Sequence, residues 1–95
     1  MFIAKVVGTV VATRKDENLV GLKLMVVRPV NGKGQAEGQT LVAVDSVGAG
    51  VGETVLVVKG SPARLVLQNK AAPVDAAIVG IVDEMETRDE GEGLY

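Results

Sequence analysis

Apolar positions in this chain fall in short β-branched runs, separated by glycine, proline and clusters of charge. The first run, "FIAKVVGTVVAT" at 2–13, predicts a strand with a bulge or bend at Gly8, where a missing side chain lets the backbone kink. "RKDEN" at 14–18 groups charge with turn formers and predicts a reversal, after which "LVGLKLMVVRPV" at 19–30 reads as a second strand. Pro29 lacks an amide proton and marks the far end of that strand or an edge. A polar loop at 31–39, "NGKGQAEGQ", precedes two further short strands, "TLVAV" at 40–44 and "ETVLVV" at 53–58. "GSPARLVLQN" at 60–69 predicts one short helix, with Ser61 as N-cap, Pro62 at the first helical position and Asn69 at its end. "PVDAAIVGIVDEMET" at 73–87 supplies the fifth strand. Five strands with one short helix before the last predict an all-β fold, a small OB-like β-barrel.

The strands carry a second message. A sheet with one wet face alternates apolar and polar residues, yet "VLVV" at 55–58 and "AAIVGIV" at 76–82 are apolar on both faces. A barrel of this size hides only its inner face, so the outward members of these runs are expected to meet another subunit. The alternative is a mildly apolar surface on a monomer, which ordinary proteins tolerate.

Composition narrows the chemistry. With 95 residues the chain is expected to form one compact domain. Valine fills 19 positions, whereas Phe2 and Tyr95 are the only aromatics, so stability must come from many small side chains. Cysteine and histidine are absent, which removes thiolate nucleophiles, disulfides, Cys/His zinc sites and the usual neutral-pH general base. No catalytic residue, metal or cofactor is expected. The N-terminal apolar stretch is interrupted by Lys5 and reads as a strand rather than a signal peptide, and no run approaches the roughly 20 residues of a membrane span. The expectation is a soluble cytosolic protein with no membrane partner. Single-strand binders combine a basic groove with aromatic stacking platforms, so a net charge of −2 with two aromatics disfavours a nucleic-acid partner. An OB-like nucleic-acid or ligand-binding module remains the alternative reading.

"DSVGAGVGE" at 45–53 spaces Gly48, Gly50 and Gly52 two apart. A dinucleotide fingerprint needs a helix after its glycines, but here Glu53 and a strand follow, and no Gly-Lys-Ser/Thr ending is present. The glycines therefore predict a tight strand connection, with Gly48 or Gly50 expected at positive φ. Asp45 and Asp75 lie beside apolar strand residues, and Arg64 on the short helix is a possible counter-charge; structural pairing is the expected use. The end of the chain, "DEMETRDEGEGLY", holds six of the 12 acidic residues and predicts an acidic tail, placing a barrel domain at 1–86 and the tail at 87–95.

"GTVVATRKDENLVGLKLMVVRPV", "VAVDSVGAGVGETVLVVKGSPAR" and "PVDAAIVGIVDE" together resemble the successive signature blocks of the EutN/CcmL family, the vertex proteins of bacterial microcompartment shells. The resemblance implies a cyclic homopentamer of OB-like barrels that caps the vertices of a polyhedral shell, in contact with hexameric shell proteins. It implies a structural protein located in a cytoplasmic microcompartment. Asp45 to Gly50 match the loop block; Gly60, Ser61, Ala63 and Arg64 match its "GSxAR" block; Pro73 to Ile78 match the last. On this resemblance Ser46, Gly48, Ala49 and Gly50 are expected near the fivefold axis or pore, or at an intersubunit seam. Asp45, Ser61, Arg64 and Asp75 are expected in an anchoring network within or between subunits.

Overall fold

The computed structural model describes residues 1–69 and 71–87. Its elements are β1 (Phe2–Val10), a 3₁₀ turn (Glu17–Leu19), β2 (Lys23–Pro29), β3 (Leu41–Asp45), β4 (Thr54–Lys59), α1 (Ser61–Val66) and β5 (Ala76–Ile81). The strands close into a barrel in the order β1-β2-β3-β5-β4, with β4 returning to β1. All pairings are antiparallel except β3 with β5, where Val44 faces Ala77 and Asp45 faces Ile78. Closure leaves no free sheet edge, which suits a chain rich in β-branched residues and short of bulky ones.

Alternation sorts the side chains. Ala4, Val6, Met25, Val27, Ala43, Val55, Val57, Ala76 and Ile78 point into one core, and Ala49 joins them from the loop after β3. The bulge expected at Gly8 lies between Val6 and Gly8, leaving Val7 as the extra residue and turning it outward.

The apolar character on both faces of β4 and β5 is partly resolved within the chain. Ala77 and Val44 form a second cluster with Ala63, Ala72 and Val74, against which Leu24, Val58 and Leu67 pack, so the helix and the segment leading into β5 cover this outer face. Val58 and Ala77 thus meet the chain's own helix rather than another subunit, a correction to the expectation for those two positions. Leu56 lies over Gly80 on the neighbouring strand, 3.5 Å from where a Cβ would stand.

Most strands are shorter than or shifted from expectation, β1 ending at Val10 and β5 running Ala76–Ile81, and three boundaries have a visible local cause. Residues 17–19 are a 3₁₀ turn held by the Asp16 carboxylate, which accepts from the Asn18 amide, so β2 starts at Lys23 and not at Leu19. The N-cap of α1 is Gly60, at φ 75°, because its amide donates to the Asp75 carbonyl and fixes the chain one residue earlier than Ser61. The helix stops at Val66, with Leu67 as its C-cap.

Candidate functional site

The connection from Ser46 to Glu53 links two strands that are not neighbours in the barrel, and most of its amides are tied down. It begins at Asp45, the last residue of β3, whose side chain is 1% exposed. Its Oδ1 accepts the amides of Val47 and Gly48 at 3.0 and 3.1 Å. Two loop amides curled around one carboxylate oxygen force a tight path, and Gly48 takes it at φ 81°. The Ser46 hydroxyl donates to the Ile78 carbonyl at 2.6 Å and fastens the loop to β5.

Lys23 completes the arrangement. It is paired with Asp45 across β2 and β3, and its Nζ stands 3.6 Å from Asp45 Oδ2 while donating to the Ala49 carbonyl at 2.8 Å. Oδ2 itself is buried and receives no hydrogen bond from the described residues. Ala49 is fully buried, its methyl group spent on the barrel core.

The second half of the loop is a turn. The Glu53 amide donates to the Gly50 carbonyl, and the Glu53 carboxylate accepts the Gly50 amide at 2.7 Å. Gly52 occupies the third position of this turn at φ 95°, the place where a type II turn requires a left-handed residue. Its amide donates to the Val6 carbonyl, which docks the turn on β1. Gly50 is not at positive φ; of the two glycines expected there, only Gly48 is, and Gly52 takes the second left-handed position.

The sequence candidates therefore separate into two places. Ser46, Gly48 and Gly50 lie along this loop, Ser46 and Gly48 exposed and Gly50 half-buried, while Ala49 turns inward. Asp45 anchors the loop from beneath. Arg64 belongs elsewhere: it donates to the Val74 carbonyl at 3.4 Å and to the Ser61 hydroxyl at 3.3 Å, strapping α1 to the segment before β5. Ser61 is thus an acceptor for Arg64 and not a helix cap. Asp75 contributes its backbone carbonyl to Gly60, and its exposed carboxylate has no partner among the described residues. Lys23 was not singled out from the sequence, since 22 residues separate it from Asp45 and only the β2–β3 register joins them. Val47 and Val51, 39% and 61% exposed, were also passed over; they project from the fastened loop, and Val7 is exposed on the adjoining strand.

Chemistry is not evident here. Among the described residues no cluster of acidic groups is placed to hold a metal, and no helix is long and apolar enough to cross a membrane. A recess of about 400 Å³ near the start of β1 is lined by Phe2, Ile3, Val30 and Leu41, with exposed Glu37 and Lys59 at its margin.

Comparison with known proteins gives this loop its context. The family described as "Ethanolamine utilisation protein EutN/carboxysome" matches residues 1–83. The chain belongs to the EutN/CcmL family. It is 51% identical over 87 residues to the bacterial microcompartment shell vertex protein GrpN of Rhodospirillum rubrum, covering 92% of this chain and 98% of that one. To the carboxysome shell vertex protein CcmL of Nostoc it is 49% identical over 90 residues, covering 94% and 89%. A solved structure described as the GrpN pentameric microcompartment shell protein from Rhodospirillum rubrum superposes with a TM-score of 0.84 at 50% identity, over 93% of this chain and all of that one. These EutN/CcmL relatives are described as shell vertex proteins.

Proposed function

We infer that this chain is a structural protein of a bacterial microcompartment shell, working as a closed pentamer at the vertices. The observation that carries the reading is the end-to-end match, in sequence and in fold, to a pentameric shell protein. The physical role follows from geometry. Hexagonal tiles alone favour flat or tubular arrays, and a polyhedron needs fivefold positions to close. A pentagonal tile made of one chain type requires heterologous contacts, each subunit offering two different patches.

We assign one of those patches to the Ser46–Gly52 loop with Val7, Val47 and Val51. Apolar side chains on a backbone already fastened to the barrel lose little freedom on docking, which favours a repeated contact. Ser61, Arg64 and Asp75, on and beside α1, form the second candidate surface, and hexameric shell proteins are the proposed outer partners. A nucleic-acid role finds no support in an acidic chain whose one described aromatic, Phe2, is half-buried at the barrel mouth.

The test is to produce the cognate shell proteins with and without this chain, and to image the particles by electron microscopy. Elongated or open shells in its absence, restored to closed polyhedra by the added pentamer, are expected. Closed polyhedra with no vertex protein of any kind present would overturn the assignment.

A further inference from the structure

We propose that Lys23 is a positioning residue, a latch that holds the 46–50 backbone in the form the ring needs. The loop hangs on Asp45, but Asp45 satisfies only half of its own carboxylate. Oδ1 takes two loop amides, while Oδ2 lies buried with no donor. A buried carboxylate is tolerated when a cation compensates it, and among the described residues the cation near Oδ2 is Lys23 Nζ at 3.6 Å. The same ammonium donates at 2.8 Å to the Ala49 carbonyl. Lys23 therefore holds the loop twice: through its charge opposite the Asp45 carboxylate beneath Val47 and Gly48, and directly at Ala49.

The barrel does not depend on this side chain for its packing. Lys23 is 53% exposed, outside both apolar clusters, and opens β2 at its first residue. The loop's other fastenings, Ser46 to Ile78 and Gly52 to Val6, sit at its two ends. Between them its shape is held by Asp45, Lys23, the Ala49 methyl group and the two Glu53 contacts to Gly50, carboxylate on amide and amide on carbonyl. Loss of the ammonium is expected to free the loop while leaving the barrel standing. The consequence for assembly rests on the loop being a ring surface, as proposed above.

The experiment follows backbone amide hydrogen exchange and native mass in Lys23→Met and Lys23→Arg, each in the unaltered chain and in a Val51→Glu background. In Lys23→Met, exchange in the 46–50 segment should quicken while the centres of β1 and β2 keep their protection. The pentamer should dissociate at a concentration roughly tenfold higher, the scale of one charge-assisted hydrogen bond. Lys23→Arg, which keeps the charge, should retain most of the protection. Faster exchange persisting when Lys23→Met is added to Val51→Glu supports a latch acting inside one chain. Unchanged exchange in Lys23→Met overturns the latch, whatever the ring does. Faster exchange with an unchanged pentamer upholds the latch and removes the loop from the ring surface. If Lys23→Met loses the barrel by circular dichroism, Lys23→Met with Asp45→Asn replaces it, since that pair leaves no buried charge uncompensated.

Discussion

At the scale of single residues, the three loop glycines are not equivalent. Gly48 and Gly52 hold φ of 81° and 95°, and a β-branched side chain in that region is strained whatever space surrounds it. Gly48→Val and Gly52→Val should each cost about 1–3 kcal/mol in chemical denaturation. Gly50→Ala should cost much less, because its backbone is ordinary and the added Cβ meets only the Glu53 carboxylate at 3.4 Å, the tip of a movable side chain. Equal losses at all three positions would contradict the backbone described. The spacing of the glycines was legible in the sequence, and so was their place in a tight connection between β3 and β4. Which of them is left-handed was not, because the demand comes from Asp45 gathering the amides of Val47 and Gly48 and from the turn closed by Glu53. Ala49 was legible as part of the loop block but not as a core residue, since an alanine between glycines reads as a spacer.

At the scale of elements, α1 serves as a lid on the outer face of β4 and β5. Ala63 is fully buried there, so Ala63→Leu should overpack the contact and cost about 1–3 kcal/mol by thermal or denaturant unfolding. Arg64→Ala removes the strap to Val74 and Ser61 and should cost about 1 kcal/mol. If Arg64→Ala instead leaves the isolated chain unchanged and weakens the pentamer, Arg64 acts across subunits. The helix was legible from "GSPAR", but its cap was misplaced by one residue. A serine before proline is a strong capping signal; the amide of Gly60 held by Asp75, a partner 15 positions away, outweighs it. Apolar strands with two buried faces were also legible, but sequence periodicity cannot say whether the second face is covered by a helix of the same chain or by a neighbour.

At the scale of the whole molecule, the five strands, their order along the chain and the OB-like barrel were legible, since turn signals and β-branched runs act locally. The purified protein should be a pentamer by native mass spectrometry at low micromolar concentration, and Val51→Glu should shift it towards smaller species. A dominant monomer for the unaltered chain would contradict the ring. Truncation after Glu86 should leave both barrel and ring intact. The last ladder contact, Val82 amide to Thr54 carbonyl, precedes the cut, and what is lost among the described residues is the long contact of 3.5 Å from the Thr87 hydroxyl to the Gly32 carbonyl. The acidic tail expected at 87–95 lies mostly outside the described residues.

The place of β5 has a kinetic consequence. It follows β3 and β4 and is the last strand among the described residues, yet it sits between them. Until it arrives both of those strands present open edges, and Ser46 lacks the Ile78 carbonyl that secures the loop. Long-range pairings of this kind fold slowly, on the order of milliseconds to seconds. A growing chain therefore cannot close its barrel until β5 has been released for folding. Assembly of the proposed ring waits on the same step, and a chain stalled before Ala76 keeps the open edges of β3 and β4 that favour aggregation.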